Sequence, residues 1–512
     1  AALRKMSAKE GKKKVVKKQT GLAMTATKEE NFADWYTQVI QRAEMIDYYG
    51  VSGCYIIRPW AYAIWEEIKE FLDKRIKSID VQNAYFPMFV TQSSLMTEKD
   101  HVEGFAPEVA WVTKYGSSDL AEPIAIRPTS ETVMYPSFAK WIQSHRDLPL
   151  KQNQWCNIVR WEFKHPQPFI RTREFLWQEG HTVHAELADA EEEVMTVLDF
   201  YSQVYEELLA VPVIKGKKSE KEKFAGAIYT TTVEAFIPET GRGVQGATSH
   251  CLGQNFAKMF DIKFEDKNGG SSLPWQNSWG LTTRTIGVLV MVHGDNKGLV
   301  LPPRVSPIQV VIVPILGKNS EGVLEAADEL KRKLHAAGIR VKLDDRANQS
   351  PGWKFNYWEL RGVSIRLELG PKDLANGTCV LAFRHTGQKI TAQMDDILQE
   401  LPTRMDQMQK EMLTAAKERV DRDHTAVVES WEQMVPSLNA RKMCLTPWCQ
   451  EKACEENVKK RTGTESVEDN EGLSGAAKTL CIPFDQPELP ETSTCIGCGK
   501  KATTWVLWGR SY

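Results

Sequence analysis

The stretch from Ile158 to His184, IVRWEFKHPQPFIRTREFLWQEGHTVH, constrains this chain more than any other part of it. It reads as a strand from Ile158 to Phe163, a loop with two prolines and Arg171, and a second strand through Phe175 and Trp177. Such a hairpin sets two arginines and several aromatics on one concave surface. A guanidinium's planar fork makes two parallel charge-assisted bonds to a phosphate. An exposed Phe beside it offers a face on which a nucleobase stacks. A basic, aromatic hairpin that only packs on its neighbours has the same composition, so the hairpin alone leaves both readings open.

At 512 residues the chain is too long for one core, which implies about three domains. A formal charge of −2 argues against indiscriminate coating of nucleic acid, so RNA contacts must come from local basic patches. No apolar run approaches bilayer length and no signal-peptide pattern opens the chain, so no membrane role is expected. Six of the 10 cysteines (Cys444, Cys449, Cys454, Cys481, Cys495 and Cys498) crowd the C-terminal end. Without a secretion signal, that crowding points to thiolate metal ligands in a reducing compartment such as the cytoplasm. The start at Ala1-Ala2 suggests a fragment or a processed product.

Lysines dominate the first 25 residues, which read as a basic flexible linker over 1–28. Helical spacing of apolar residues follows over Asn31–Ile46 and Pro59–Lys77, and then an apolar strand, Asn83–Val90, interrupted by Pro87. Proline confines such a strand to an edge or bulge. Arg127-Pro128-Thr129-Ser130-Glu131 opens a helix, where Thr129 or Ser130 suits an N-cap and Glu131 the first turn. Ala190–Leu209 reads as a helix, and Val213–Lys223 as a basic loop. Small residues in Gln245–Phe256, around Thr248 and His250, allow backbone to approach a ligand closely. Gly280–Gly287, with Arg284, begins a strand-to-helix unit.

Leu301-Pro302-Pro303-Arg304 marks a boundary. Beyond it, strands at Val310–Pro314, Arg340–Leu343, Ser364–Leu369 and Thr378–Phe383 alternate with helices at Gly322–Ala337 and Gly352–Arg361, an α/β pattern with a mixed or parallel sheet. Arg346, Lys354 and Lys372 are its candidate phosphate contacts, although single charges are more often solvated. Asp406–Val435 reads as one helix, and Arg461–Gly475 as a polar loop. The Cys495-x2-Cys498 knuckle is a strong half of a tetrahedral Zn²⁺ site. For the other half the spacing leaves Cys444, Cys449, Cys454 and Cys481 open.

R-W-E, a loop, and R-T-R-E-F together resemble motif 2 of the class II aminoacyl-tRNA synthetases. The helix and proline-ended strand before it resemble motif 1, and the Arg284 unit resembles motif 3. The match is closest to the prolyl-tRNA synthetase family in its eukaryote-like form, from about residue 30 to the C-terminus. The resemblance implies an α+β catalytic domain (29–305) built on an antiparallel sheet with flanking helices. It further implies an α/β anticodon-binding domain (306–402) and a small zinc-bearing C-terminal domain (403–512). The activity implied is a ligase's: L-proline and ATP give prolyl-adenylate, then prolyl-tRNA(Pro).

By the same resemblance, Arg160 and Arg284 are catalytic, and Arg160, Glu162, Arg171, Thr172, Phe175, Gln245, Thr248 and Arg284 contact ATP with its Mg²⁺. Proline falls to Thr129, Glu131, Arg160, Trp177, His250, Phe105 and Phe224. A secondary ammonium has two N–H donors, which a hydroxyl and a carboxylate suit. The zinc ligands implied are Cys444, Cys449, Cys495 and Cys498, and Tyr512 lies near the active site. Motif 1 implies a homodimer. The lysine-rich start fits the prolyl half of a fused glutamyl-prolyl enzyme, with a multi-synthetase assembly as its setting. The interval between motifs 2 and 3 is too short for the editing insertion of the bacterial form. A synthetase-like amino-acid sensor or RNA-binding protein is the alternative, and retention of Arg160, Arg171 and Arg284 argues against it.

Overall fold

The computed structural model describes residues 23–101, 109–161, 166–317, 320–465 and 475–512. The expectations for residues 1–22, Phe105, Glu162 and most of the 461–475 loop therefore lie outside the described residues.

An 11-stranded sheet organises the molecule. Its order, edge to edge, is Thr425–Val427, Met443–Trp448, Thr504–Ser511, Lys478–Pro483, Ile214–Lys217, Tyr229–Ile237, Arg242–Gly253, Trp275–Thr282, Glu174–His184, Leu150–Val159 and Gln82–Asn83. The central strands, from Ile214–Lys217 to Leu150–Val159, pair antiparallel. The motif 2 hairpin is the pair Leu150–Val159 and Glu174–His184, in register from Leu150↔Val183 to Val159↔Glu174. C-terminal strands thus continue the central antiparallel sheet, joined where Ile482 pairs with Lys217.

One sheet face is covered by helices. Pro59–Lys77 begins with a proline, whose missing N–H would be unpaired there anyway, and buries Ala61, Ile64, Trp65, Ile68, Leu72 and Ile76 at intervals of three and four. With Leu187–Gln203 and Arg284–His293 it packs on Val233, Ala235, Trp279 and Leu281 to form the main core. Gly180 is required here: a Cβ would fall 2.2 Å from the Trp279 ring. Against the other face, Glu131–Trp141 contributes Met134, Tyr135 and Phe138 to a smaller core with Phe86, Leu252 and Phe256, leaving a cavity beside it.

A second sheet, of five strands, runs Val341–Leu343, Val310–Pro314, Ile365–Leu369, Thr378–Phe383 and Lys389–Gln393. Its first three strands are parallel and the rest antiparallel, a mixed sheet as the alternating pattern predicts.

Several elements differ from expectation. The hairpin's first strand, expected over Ile158–Phe163, is Leu150–Val159, and Arg461–Glu465, expected as loop, ends the helix Lys452–Glu465. Asn83–Val90 is not one strand: Gln82–Asn83 edges the large sheet, and Phe89–Thr91 belongs to a separate three-stranded one. Between them the Phe86 amide donates to Gln154 Oε1 (2.5 Å) and its carbonyl accepts from Arg127 (2.6 Å), which takes the chain out of the first ladder. Val213–Lys223 contributes the strand Ile214–Lys217, not loop alone. The helix Leu187–Gln203 ends in a π-helical turn, Val204–Leu208. Asp406–Val435 is not one helix. Ile397–Asp423 stops because Thr425–Val427 pairs in parallel with Met443–Leu445, and Trp431–Asn439 is a separate helix.

Candidate active site

Strand parity places the side chains. Along Glu174–His184, Phe175, Trp177, Glu179 and His181 face the cavity, while Leu176 packs in the main core and Gln178 accepts from Tyr201 beneath the sheet. Ser278, Gly280 and Thr282 line it from the neighbouring strand. Gln245 and Thr248 are an odd number of residues apart, so a regular strand would point them to opposite faces. The ladder slips between Val233 and Glu234, leaving Gly246 as an unpaired bulge residue, and this brings Gln245, Thr248 and His250 to one side. Gly246 cannot be larger, since a Cβ would lie 2.8 Å from the Tyr205 ring. The Tyr205 hydroxyl donates to its carbonyl at 3.1 Å.

The resulting cavity has a volume of about 600 Å³. It gathers Thr129, Glu131, Arg160, Arg171, Thr172, Phe175, Trp177, Phe224, Gln245, Thr248, His250 and Arg284, every described residue that the sequence suggests for the proline and ATP contacts.

Its chemistry falls into two parts. The cationic part holds Arg160, Arg171 and Arg284. Arg160 donates through Nε to Pro128 O (2.9 Å), and its guanidinium stands 5.4 Å from the Trp177 ring centroid and 5.8 Å from that of Phe175. Arg284 donates to Ile170 O and Gln245 O, each at 3.1 Å. Burial draws the Arg284 pKa below the usual value; Tyr205 opposes that shift, and Arg171 and Arg160 add to it. Three guanidiniums on one cavity wall, two of them held by backbone carbonyls, make a ready site for a polyanion.

The other part is a hydrogen-bonded carboxylate cluster. Thr129 donates to Glu131, and Ser130 to Glu179. Glu179, buried, also accepts from Gln154 (3.1 Å) and lies 3.1 Å from His181 Nε2, whose Nδ1 is 2.9 Å from the Tyr135 hydroxyl. Burial by itself would raise Glu179 and lower His181. It is the largest single effect on each, but it is outweighed by several others together: their mutual hydrogen bond and charge, the Ser130 and Gln154 bonds to Glu179, and the charge of Glu131 on His181. Glu179 therefore titrates below and His181 above the ordinary value. Ser130 and Thr129 thus spend their hydroxyls in the site, and Ser130 makes no side-chain cap bond. The expected N-cap role is overturned.

His250 has no ring nitrogen to spare: Nδ1 is 2.8 Å from Thr230 Oγ1 and Nε2 is 3.0 Å from Thr248 Oγ1. Burial, with the charge of His181, pushes its pKa down to about 3, so the ring is neutral. It offers a face, packed 5.0 Å from the Phe224 ring. Glu179, His181, Glu222, Thr230 and Ser278 also line the cavity and escaped sequence reasoning. For Glu179 and His181 the signal was present: they continue the i, i+2 series from Phe175 and Trp177.

The cysteine ligand set needs one correction. The Sγ atoms of Cys449, Cys454, Cys495 and Cys498 lie within 4.8 Å of one another, with Cys454 and Cys495 3.4 Å apart and Cys449 and Cys498 3.6 Å apart. A tetrahedral Zn²⁺ with Zn–S of ~2.3 Å separates its sulfurs by ~3.8 Å, so the four fit the ion. Cys444 is not among them. It sits on the strand Met443–Trp448, and at ~3.3 Å per residue a strand carries it too far from Cys449 to share an ion. It is buried facing Met434 O, and burial pushes its thiol up to about 12. Cys454 takes its place because Gln450 turns the chain at φ 65° into the helix Lys452–Glu465.

In the five-stranded unit, Lys354 is buried and donates to Asp344 O at 2.9 Å, so it is no surface phosphate contact. Arg346 pairs with Asp344 and lies over the Trp353 and Tyr357 rings. Lys372 lies in the helix Pro371–Asn376. Tyr512 does not line the cavity. Its hydroxyl is 3.2 Å from Thr240 Oγ1, at the turn leading into the strand that carries Gln245 and His250.

Residues 111–293 match the family model "tRNA synthetase class II core domain (G, H, P, S and T)", 309–404 "Anticodon binding domain" and 431–512 "Prolyl-tRNA synthetase, C-terminal". The chain is 54% identical over 510 residues to the cytoplasmic proline--tRNA ligase of Arabidopsis thaliana, covering 99% of this chain and 94% of that one. It is also 54% identical to the bifunctional glutamate/proline--tRNA ligase of Mus musculus, covering 97% of this chain and 33% of the mouse protein. The crystal structure of prolyl-tRNA synthetase from Cryptosporidium parvum complexed with halofuginone and AMPPNP superposes with a TM-score of 0.92 at 54% identity, covering 96% of this chain and 100% of that one. With one relative matched almost end to end and the class II core at its centre, the chain belongs to the prolyl-tRNA synthetase family.

Proposed function

We infer that this chain is a proline--tRNA ligase, which activates L-proline with ATP and transfers the prolyl group to tRNA(Pro). The observation that carries the mechanism is the convergence of Arg160, Arg171 and Arg284 with Thr129 and Glu131 in one cavity. A triphosphate suits the three guanidiniums, and a secondary ammonium suits the hydroxyl–carboxylate pair. Phe175 would stack with adenine, with Thr172, Gln245 and Thr248 around the nucleotide. Trp177, Phe224 and the face of His250 would wall the pyrrolidine ring.

No covalent enzyme intermediate is needed. A proline carboxylate oxygen attacks the α-phosphorus, the bond from that phosphorus to the bridging oxygen breaks, and pyrophosphate leaves. The protein's contribution is alignment and neutralisation of charge. Arg160, bonded to Pro128 O beside Thr129, bridges carboxylate and α-phosphate, while Arg171 and Arg284 hold the outer phosphates. Mg²⁺ accompanying ATP supplies further neutralisation. A ribose hydroxyl at the tRNA 3′ end then attacks the activated carbonyl, and AMP departs.

Zn²⁺ at Cys449, Cys454, Cys495 and Cys498 would be structural, because four thiolates close the coordination sphere. A homodimer is supported by aromatics left exposed in and near the motif 1 region, including Tyr49, Tyr62, Tyr85 and Phe89. Among the described residues no helix is long and apolar enough to cross a membrane. A cytoplasmic setting rests on the Arabidopsis relative's name, and a larger synthetase assembly on the mouse relative's.

The test is pyrophosphate exchange into ATP against each of the twenty amino acids. Exchange with proline alone is expected. Exchange with none would move the reading to a non-charging sensor or RNA-binding protein.

A further inference from the structure

The cavity wall that carries Glu222, Phe224 and Ala225 belongs to the turn-rich segment 218–228. That segment is tied at its base to the C-terminal part of the chain through buried polar groups. Ser219, buried, accepts at Oγ from the Glu222 amide (3.2 Å), and its carbonyl accepts from the Lys223 amide (2.9 Å). The Ser219 and Thr479 hydroxyls are 3.1 Å apart, and Thr479 donates to Glu455 Oε1 at 2.6 Å. Glu455 is itself buried and follows the metal-cluster residue Cys454. Beside this line Lys218 Nζ bonds Leu480 O at 2.7 Å and Glu234 at 2.6 Å.

A hydroxyl has one proton. Thr479 Oγ1 therefore bridges two acceptors, the nearer Glu455 carboxylate and the Ser219 hydroxyl oxygen, and that oxygen also accepts from the Glu222 amide. The Glu222 amide is thereby linked through the Ser219 and Thr479 hydroxyls to Glu455, which Ser219 also reaches directly. Farther along the segment, the Phe224 amide donates to Thr230 Oγ1 (3.0 Å), the same hydroxyl that holds His250.

We propose that the Glu455–Thr479–Ser219 relay is a positioning device for the amino-acid pocket, through which the cysteine-cluster helix holds Phe224 against His250. This rests on the reading of the cavity as a proline site. None of the three residues lines the cavity. Their influence is on the wall beside the amino acid, which carries Glu222, Phe224 and Ala225, and none of them bonds Arg284 or Gln245, which would take the nucleotide's phosphates.

The experiment is Thr479→Val, which keeps the side chain's shape and removes its hydroxyl, with Glu455→Gln as the conservative partner that retains an acceptor for Thr479. Pyrophosphate exchange is measured with proline and ATP varied separately, beside metal content. In Thr479→Val, KM for proline should rise about three- to tenfold, the weight of one hydrogen bond. KM for ATP should stay within about twofold, and zinc should match wild type. Glu455→Gln should recover most of the proline KM. A proline KM unchanged in a folded Thr479→Val protein, equal rises in both KM values, or loss of zinc would each overturn the relay. Should Thr479→Val not fold, Ser219→Ala is read in the same way. Wild type without proline-dependent exchange would instead remove the proline reading itself.

Discussion

Arg160 sits where the two parts of the cavity meet, bound to Pro128 O and stacked near Trp177. Arg160→Ala removes a charge-assisted contact to an oxygen that becomes more negative at the transition state. The expected loss is about 3–4 kcal/mol, on the order of a hundred- to a thousandfold in exchange rate, with the melting temperature little changed. Near-normal exchange would take Arg160 out of the mechanism. His250→Ala should raise KM for proline more than KM for ATP, because the ring contributes a face and its nitrogens are already bonded within the protein; an effect on ATP alone would refute that placement. The pair Glu179–His181 gives a pH signature. Glu179 is depressed below 4.5, so its contribution to stability is present above 4.5 and fades as pH falls through the folded value. His181 is raised above 6.5, so its contribution is complete below 6.5 and fades as pH rises through the folded value. The melting-temperature gap between wild type and Glu179→Gln should therefore be widest from about pH 4.5 to 6.5 and shrink on both sides. A gap that is flat with pH would show that the pair is not an ion pair.

The strand from Arg242 to Gly253 shows what a sequence withholds at the scale of an element. Its small residues and their closeness to a ligand were legible, as were Gln245, Thr248 and His250. The geometry that unites them was not, because alternation alone sends Gln245 and Thr248 to opposite faces. Only the slip against Val233 and Glu234, recorded nowhere in the strand's own periodicity, reconciles them. The same limit explains Ser130, whose helix-start position suggests a cap although its partner, Glu179, is 49 residues away. Local rules see neighbours along the chain, and sites are made by distant ones. Gly246→Ala tests the bulge. Its methyl would press on the buried Tyr205 ring, costing about 1–3 kcal/mol as overpacking does. It should also raise KM for ATP, since Arg284 donates to the carbonyl of Gln245 next door. Stability and ATP affinity equal to wild type would mean that the bulge is dispensable.

At the scale of the whole molecule, the order of the chain's parts was readable because three motif stretches and a knuckle recur in a known sequence order. The assembly of the C-terminal end was less so. Cys444 and Cys449 look like a chelating pair until one knows that Cys444 stands on a strand opposite Trp508, and that the chain reverses only at Gln450. That strand belongs to the same sheet that supports the candidate active site, so the cysteine cluster and that site share a framework. The distinction is testable by exchanging one sulfur at a time. Protein prepared without chelators should carry about one zinc per chain, the number a four-thiolate cluster binds. Cys454→Ser should lose it and melt earlier, with proline activation weakened through the strands that pair Ile482 with Lys217. Cys444→Ser should keep its zinc while losing about 1–3 kcal/mol, because a hydroxyl replaces a buried thiol whose contact with Met434 O is long, at 3.9 Å. Elemental analysis of the two variants side by side separates the possibilities. Zinc retained by Cys454→Ser and released by Cys444→Ser would reverse the ligand assignment, and zinc absent from the wild type would remove the metal centre altogether.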